Sequence, residues 1–438
     1  MKVLKFGGTS VGSPERMKGV AKLINDGDKK IVVLSAMSGT TNSLVEISDY
    51  LHKNNPEGAN EVINKLERKY KQHVEELYST EEYKQKTWAI IKDIFNGIRS
   101  LTKDIFTLFE ERVILAQGEL MSTNMVTNYL KEQGVNVVLL PALEFMRTDK
   151  NGEPDTKYIK TKIGAQLEKY SDAELYITQG FICRNECGEV DNLQRGGSDY
   201  SASLIGAAVN ASEIQIWTDI DGIHNNDPRI VDKTSPVRQL HFEEAAELAY
   251  FGAKILHATC IHPAKFANIP VRLLNTMEPT APGTLISNDT ELGKIKAVAA
   301  KDNITAIQIK SGRMLLAYGF LRKVFEIFES YQTSIDMICT SEVGVSVSID
   351  DTKHLNEIVN DLKKYGIVHV DHDMCIICVV GDLRWENVGF EAKALDAMSE
   401  IPVRMISFGG SDYNISFLVS KDYKKRALQS LSDHLFNN

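Results

Sequence analysis

Two glycine pairs, each flanked by charged and hydroxyl side chains, indicate a binding site for an anionic ligand. The first pair lies in the segment Lys5-Phe6-Gly7-Gly8-Thr9-Ser10 and the second in Arg195-Gly196-Gly197-Ser198-Asp199. Glycine lets a backbone approach a ligand closely, and a neighbouring cation offsets negative charge. One pair alone is more often a tight turn, but two pairs with such neighbours favour one site assembled from distant segments.

The first glycine pair has the sequence context of a phosphate site. Residues 1–6 form an apolar, β-prone run, and Ser13-Pro14-Glu15 is typical of a helix start. The pattern predicts a strand, a glycine loop and a helix, and the loop amides, the helix N-terminus and Lys5 would all attract an anion. The segment matches neither G-x-x-x-x-G-K-[ST] nor G-x-G-x-x-G, so neither a P-loop nor a dinucleotide-binding loop is predicted.

The composition is that of a globular protein with more than one domain. The chain has 438 residues and a formal net charge of -9, which argues against a protein that binds nucleic acid irrespective of sequence. No apolar run approaches the length of a membrane span, and no signal-peptide pattern opens the chain. The six cysteines form no metal-ligand pattern. We therefore expect reduced thiols and a soluble, cytoplasmic protein with no nucleic-acid or membrane partner.

The first two thirds of the chain, residues 1–290, alternate strands with helices. Short runs rich in Val, Ile and Leu, separated by helical patterns, are typical of a mostly parallel buried sheet. These runs are Lys30 to Ser35, Val135 to Leu140, Leu175 to Ile182, Ile214 to Thr218 and Val271 to Leu274. We predict an α/β fold, a three-layer sandwich around this sheet, with a helical subdomain at about residues 43–124.

The rest of the chain carries one pattern twice. A helix and two strands follow one another in residues 319–350 and again in residues 389–420, and each set has a strand before it and a helix after it. This order predicts two α+β modules of the ferredoxin-like βαββαβ type, at residues 296–370 and 371–438.

Further motifs follow in a fixed order along the chain. After KFGGTSVG come LSAMSGTTN, QGELMST, QGFI, RGGSDYSA, WTDIDGI, DPR and FGAKILH, and the last third contains MLLAYGFL and CTSEVGVSVSID. Together they closely resemble the aspartate kinases of the amino-acid kinase superfamily, in particular the monofunctional type with two C-terminal ACT modules. The resemblance covers essentially the whole chain and is greatest to the lysine-sensitive type.

The resemblance implies a role for individual residues of the kinase domain. As catalytic groups it implies Lys5, Lys254 and Asp199. Around ATP it implies Lys5, Gly7, Gly8, Thr218, Asp219, His224, Arg229 and Lys254, with His224 standing where some relatives have tyrosine. Around aspartate it implies Ser35, Thr41, Glu119, Arg195, Ser198 and Asp199. ATP is the implied co-substrate and Mg²⁺ the implied metal, whose protein ligands the sequence does not identify.

The implied reaction agrees with the chemistry of these side chains. A β-carboxylate has an ordinary pKa near ~4, so it is already an ionised nucleophile at neutral pH and needs no general base. The site must instead offset charge and align two anions. Arg195 suits an α-carboxylate, and Glu119 or Asp199 suits an ammonium group. The product would be 4-phospho-L-aspartate, at the first step of lysine, threonine and methionine synthesis.

Other functions remain open at this stage. Another amino-acid kinase, acting on a different carboxylate such as that of glutamate, would share the glycine loops. An amino-acid sensor without activity would keep the repeat but could lose Lys5 and Lys254, and both are present. A kinase fused to homoserine dehydrogenase would need a further nucleotide-binding domain.

The repeated modules imply regulation by an amino acid. The resemblance places an effector, L-lysine rather than threonine, beside residues of the first module, and implies a homodimer or larger homo-oligomer formed through these modules. Backbone amides at a helix start suit the effector's carboxylate, and Asp336 suits a cationic group. The implied effector residues are Met314, Gly319, Phe320, Leu321, Asp336, Thr340 and Ser341.

Overall fold

The structure, a computed structural model, describes residues 1–103, 105–193, 196–252, 258–312 and 318–436. The chain divides into two compact units. The first comprises Met1–Gly222 and Ile255–Asn288, and the second comprises Ile223–Lys254 and Asp289–Asn438. Among the described residues, no helix is both long and apolar enough to cross a membrane.

The first unit is built on the predicted parallel sheet. Its strands lie in the order β3, β4, β2, β1, β7, β9 and β10, and each neighbouring pair from β3 to β9 is parallel, whereas β10 is antiparallel to β9. Their bounds are β1 Lys2–Phe6, β2 Lys30–Leu34, β3 Val137–Leu140, β4 Leu175–Gln179, β7 Ile214–Thr218, β9 Val271–Asn275 and β10 Thr284–Ser287. The expected α/β fold around a parallel sheet is confirmed.

One predicted strand, Leu175 to Ile182, is interrupted in the structure. The chain leaves β4 at Gln179 and re-enters a separate hairpin of β5 Ile182–Arg184 and β6 Val190–Asn192. Phe181, between them, has φ 68°, a left-handed conformation that a strand does not contain. The apolar composition of the run gives no sign of this break, because it depends on contacts with distant residues.

The helices of the first unit cover the sheet and build a helical layer beside it. They are α1 Pro14–Ile24, α2 Thr40–His52, α3 Pro56–Leu77, α4 Glu81–Leu101, α5 Leu108–Glu132, α6 Thr156–Lys169, α7 Gly197–Ala208 and α9 Ala258–Phe266. Residues of α1 to α5 and of the central strands share one apolar core that contains Phe6, Tyr70 and Phe95. Helix α5 extends beyond the predicted helical segment, as far as Glu132.

The second unit contains a six-stranded antiparallel sheet in the order β12, β13, β11, β14, β16 and β15. The strands are β11 Ile295–Lys310, β12 Met337–Ser341, β13 Gly344–Ile349, β14 Ile367–Gly381, β15 Val403–Phe408 and β16 Asn414–Ser420. Its helices are α10 Phe320–Ser330, α11 Leu355–Leu362, α12 Phe390–Ala397 and α13 Lys424–Leu435. The repeated order of elements expected from the sequence is present.

Two apolar cores divide this sheet. One core joins the C-terminal half of β11, through Ile307 and Ile309, to α10, β13 and α11. The other joins Val298, in the N-terminal half of β11, to β14, α12, β16 and α13. The strand β11 therefore serves both cores, although the sequence repeat suggests one module after the other.

Residues 223–250 pack within the second unit. This segment includes β8 Gln239–His241 and α8 Phe242–Tyr250. Val231 lies in the same core as Val298, the amide of Val298 donates to the Asn225 carbonyl at 2.8 Å, and the Asn226 side chain donates to the Leu428 carbonyl at 3.0 Å. The segment is thus tied to the sheet by both apolar and polar contacts.

Candidate active site

A cavity of about 1170 Å³ opens at the carboxyl ends of the parallel strands in the first unit. Lys5 of β1 and Gly8 of the following loop lie on one wall, and Ser35, directly after β2, lies beside them. The turn after β4 contributes Phe181, and Glu119 of α5 also lines the cavity. This position is where parallel α/β sheets ordinarily bind ligands.

An ion pair connects the two glycine segments predicted from the sequence. Lys5 Nζ lies 2.7 Å from Asp199 Oδ1, and both side chains are largely buried, with 12% and 14% of their surface exposed. Because this pair is partly shielded from water, its charges act more strongly on a ligand than the same charges on an open surface. The ion pair fixes the Lys5 ammonium group beside the second glycine segment.

Gly8 of the first segment and Gly180, directly after β4, permit close backbone approaches. A Cβ on Gly8 would lie 2.8 Å from the Ala36 carbonyl oxygen, and one on Gly180 would lie 2.6 Å from Ser198 Cβ. In addition, the amide of Ser38 donates to the Gly8 carbonyl at 3.1 Å. Larger residues would push the glycine loop away from the strand ends.

Two helices begin at the cavity without a side-chain cap. Helix α2 is preceded by Gly39 with φ 82°, and α7 is preceded by Gly196 with φ 77°. Both glycines line the cavity, and neither helix start has a side-chain cap hydrogen bond among the described residues. At α2 the amide of the first residue, Thr40, donates to the Met37 carbonyl at 2.9 Å. The next amides of α2 and the first amides of α7 lack carbonyl partners within their helices and suit an anionic ligand.

Glu119 supports the segment 35–42, which links β2 to the start of α2. Its Oε1 accepts a hydrogen bond from the Ala36 amide at 3.1 Å, and Ser122, one turn later on α5, donates to the Ser35 carbonyl at 2.8 Å. The residue Glu119 is 4% exposed, and its Oε2 has no hydrogen-bond partner in the described part of the chain. One oxygen therefore binds the Ala36 amide, and the other remains available to a ligand in the cavity.

Burial raises the pKa of Glu119 to about 7. The hydrogen bond from the Ala36 amide and the positive charge of Lys5 act in the opposite direction but do not offset the loss of hydration. A cationic group that enters the cavity beside Oε2 would favour the ionised form of this carboxyl group.

Seven of the predicted residues come together at this cavity. They are Lys5, Gly8, Ser35, Thr41, Glu119, Ser198 and Asp199. Gly7 lies in the same loop, and its amide donates to the Trp217 carbonyl at 3.3 Å. Arg195 and Lys254 lie outside the described residues, so the structure gives no position for either.

The remaining nucleotide residues predicted from the sequence are not among those that line this cavity. Thr218 ends β7, and its hydroxyl donates to Asp219 Oδ1 at 3.2 Å. In the second unit, His224 Nδ1 lies 2.9 Å from the Thr234 hydroxyl, and Arg229 makes a two-pronged ion pair with Asp227, at 2.9 and 2.7 Å.

The predicted effector residues lie in the second unit, apart from Met314, which is outside the described residues. Gly319, with φ 87°, precedes α10, whose first residues are Phe320 and Leu321. Thr340 and Ser341 lie on the edge strand β12. Asp336, whose side chain is 1% exposed, accepts hydrogen bonds from Lys301 and Tyr250, both at 2.7 Å on Oδ1.

Sequence reasoning missed part of the cavity wall. Arg112 of α5 and Asp191 of β6, which form an ion pair at 3.2 Å, line the cavity. Tyr200 and the turn around Glu153 line it as well. Asn151 and Gly152 mark a turn in the sequence, but nothing in the pattern places that turn at the strand ends. The structure places it there through β5, because the Thr148 amide donates to the Arg184 carbonyl at 2.8 Å.

Comparisons with known proteins agree with this arrangement. A family model described as the amino acid kinase family matches residues 1–275, and an ACT domain model matches residues 377–435. The chloroplastic aspartokinase 3 of Arabidopsis thaliana is 35% identical over 465 residues, which cover 99% of this chain and 81% of the relative.

Two solved structures are similar over the whole chain. The crystal structure of E. coli aspartokinase III in complex with aspartate and ADP has a TM-score of 0.87 at 32% identity, with 100% of each chain covered. The crystal structure of the same enzyme in complex with lysine and aspartate has a TM-score of 0.82 at 32% identity, covering 100% of this chain and 99% of the other.

The raised pKa of Glu119 predicts a pH-dependent gain in stability for Glu119→Gln. Between pH 4.5 and about 7 the folded protein binds a proton that the unfolded chain releases, so this group's contribution to stability falls as pH rises through that range. The variant loses this dependence. The free energy of unfolding of Glu119→Gln relative to wild type should therefore be higher at pH 8 than at pH 5, by on the order of 3 kcal/mol, and its relative melting temperature should be higher at pH 8 as well.

Glu46→Gln, a change at an exposed position of α2, provides the matched control. Its melting temperature relative to wild type should be the same at both pH values. A Glu119→Gln variant that behaves like this control would contradict the raised pKa.

Proposed function

The chain belongs to the aspartokinases of the amino acid kinase family, and we propose that it transfers the γ-phosphoryl group of ATP to the β-carboxylate of L-aspartate. The product is 4-phospho-L-aspartate, the first intermediate of lysine, threonine and methionine synthesis. The observation that carries this proposal is the cavity in which Lys5, Asp199 and Glu119 meet two helix starts without side-chain caps.

Charge is the main barrier to this reaction. The β-carboxylate is ionised at neutral pH and must approach the γ-phosphoryl group of a polyanion, so the site gains rate by offsetting charge and by aligning the two groups. Lys5 supplies a fixed positive charge because Asp199 holds its ammonium group in place. The N-termini of α2 and α7 add partial positive charge that needs no reorganisation during the reaction.

The walls of the cavity suit the two ends of aspartate. The Oε2 atom of Glu119, buried and without a partner among the described residues, can accept a hydrogen bond from the α-ammonium group. We assign the α-carboxylate to Arg195 on the chemistry of a guanidinium group. The hydroxyls of Ser35, Thr41 and Ser198, which line the same cavity, complete the proposed contacts with aspartate.

The nucleotide contacts extend from the same glycine loop. We place the phosphates at Gly7, Gly8, Lys5 and Lys254, and the rest of the nucleotide at Thr218 and Asp219. His224 and Arg229 complete the proposed set. Arg229 already binds Asp227 with two nitrogens, so its contact with the nucleotide would use the remaining N–H groups.

Mg²⁺ accompanies ATP in this family, and the cavity suits it. Mg²⁺ bound to nucleotide phosphates keeps several waters and takes one or two carboxylates from the protein. Asp199 lies beside the glycine loop and would be the residue that holds it, through the carboxylate that also binds Lys5. When bound, the metal offsets charge on the phosphates.

The first prediction from this assignment concerns Lys5→Ala. Loss of a fixed charge at the transferring phosphoryl group should lower kcat roughly 10²-fold, because the transition state loses an electrostatic stabiliser. The rate would be measured by coupled ADP release with L-aspartate, and L-glutamate in the same assay tests the alternative that another amino acid is the substrate.

Lys2→Ala removes an exposed lysine from the same strand and is the matched control. It should leave kcat unchanged. A folded Lys5→Ala protein with a near-normal kcat would contradict the catalytic assignment of Lys5. Faster turnover of L-glutamate than of L-aspartate would favour the alternative substrate.

We further propose that L-lysine inhibits the enzyme by binding in the second unit. The supporting observation is that Asp336 already binds an ammonium group, that of Lys301, and that its Oδ2 is buried without a partner among the described residues. The amides at the start of α10, which follows Gly319 without a side-chain cap, suit a carboxylate. Phe320, Leu321, Thr340, Ser341 and Met314 are the other proposed contacts.

L-Lysine should lower the rate at sub-saturating aspartate, while norleucine, which has the same chain length but no side-chain ammonium group, should have little effect. Asp336→Asn should raise the lysine concentration that gives half inhibition about tenfold or more, since a charged hydrogen bond becomes a neutral one. A flat lysine response into the millimolar range, together with inhibition by threonine, would overturn the assignment of lysine.

The second unit also offers a surface for self-association. Leu321 and Phe325, one turn apart on α10, are 38% and 42% exposed, and Ile338 on the edge strand β12 is 37% exposed. We propose a homo-oligomer formed through this unit, and sedimentation velocity should detect a dimer or a larger species. A monomer at all concentrations would contradict it.

A cytoplasmic location is also part of the proposal. The six cysteines are all free, which suits a reducing compartment. The Arabidopsis relative is chloroplastic, so the compartment differs within the family.

A further inference from the structure

We infer that Tyr70 and Lys69 of helix α3 are positioning residues that set the affinity of the enzyme for its amino-acid substrate. Neither is among the described residues that line the cavity. Both instead hold the segment 35–42, which carries Ser35 and Thr41 into the cavity. The inference rests on the proposed function, because it concerns the same substrate site.

Tyr70 holds this segment through a buried hydrogen bond. Its hydroxyl lies 2.9 Å from the Thr40 hydroxyl, and both residues have 0% of their surface exposed. The ring packs edge-on against Phe95, with 5.8 Å between ring centroids. Because neither hydroxyl can reach water, each depends on the other, and removal of one leaves the other buried and unsatisfied.

Lys69 binds the same segment at Ser38, two residues before Thr40. Its Nζ donates to the Ser38 carbonyl at 3.1 Å, while the Ser38 amide donates to the Gly8 carbonyl at 3.1 Å. Both polar groups of this residue's backbone are thereby fixed, one by α3 and the other by the glycine loop. The next residue, Gly39, sets the left-handed start of α2.

Helix α5, in addition to α3, restrains the segment 35–42. Glu119 accepts from the Ala36 amide, and Ser122 donates to the Ser35 carbonyl. A Cβ on Gly118 would lie only 2.7 Å from the Ala36 Cβ, so α5 and the segment are packed closely. Polar contacts from α3 and α5 thus restrain a segment that has little regular structure of its own before Thr40.

These restraints should act on substrate binding rather than on phosphoryl transfer. A segment held in its binding geometry before the substrate arrives loses less entropy on binding. Loss of the Tyr70 or Lys69 contact lets the segment move, so aspartate must then order it. Lys5, which offsets the negative charge, and Asp199, which holds its ammonium group in place, belong to other elements and keep their own ion pair.

Tyr70→Phe and Thr40→Val, singly and together, test the buried pair. Each single variant should raise the KM for aspartate roughly 5- to 10-fold, with kcat and the KM for ATP within about twofold of wild type. Each should also lower the melting temperature, because one hydroxyl is left without a partner. The double variant removes both hydroxyls, so its melting temperature should recover while its KM for aspartate stays raised.

Lys69→Ala tests the second contact, and Lys65→Ala, at an exposed lysine one turn earlier on α3, is its control. Only Lys69→Ala should raise the KM for aspartate, with kcat unchanged.

The outcomes separate positioning from a purely structural role. If the KM for aspartate returns to the wild-type value together with the melting temperature in the double variant, or if the KM for ATP rises equally in the single variants, the inference is wrong. Unchanged KM values in Tyr70→Phe and Lys69→Ala also overturn it. Wild-type enzyme that does not phosphorylate aspartate would overturn the proposed function instead, a result distinct from all of these.

Discussion

The carboxylate of Glu119 is the constraint on which the cavity of the first unit depends. Without its hydrogen bond, the Ala36 amide would be buried with no acceptor, at a cost of about 1–3 kcal/mol. The carboxylate itself is costly to bury, as its pKa of about 7 shows, and only one of its oxygens has a hydrogen-bond partner among the described residues. A well-packed neutral side chain would be more stable there. A buried acid with one unpaired oxygen in a cavity is instead suited to a ligand that brings a positive charge.

Much of this site could be predicted from the sequence because its residues follow strand ends. Lys5 lies near the end of β1 and Ser35 directly after β2, and parallel strands bring their carboxyl ends to one edge of the sheet. Ser198 stands in the second glycine motif, at the start of α7. The break after β4 could not be predicted, since it depends on the Phe181 conformation and on the contact of Gly180 with Ser198. Nor could the role of Tyr70, which depends on how α3 packs, a long-range property without a local sequence signal.

The two compact units of the structure do not have the same boundaries as the segment matched by the kinase family model. The amino acid kinase model matches residues 1–275, yet Ile223–Lys254 belongs to the second unit by its contacts. This segment contains His224 and Arg229, which we propose as nucleotide contacts, and Val231, which packs in a core of the second unit. A change in that core therefore acts directly on a segment of the kinase sequence.

In the Asp336 cluster of the second unit, one ammonium group is shared between two carboxylates. Lys301 lies 2.7 Å from Asp336 and 2.9 Å from Asp350, so it can leave the first carboxylate and still keep the second. At the proposed lysine site, an arriving ammonium group can bind the free Oδ2 or take the place of Lys301 on Oδ1. Tyr250, at the end of α8, donates to that same Oδ1, and the Lys301 ammonium lies 4.4 Å from the centre of its ring. Any exchange of cations at Asp336 thus changes the environment of the last residue of α8, a helix that lies within the part of the chain matched by the amino acid kinase model.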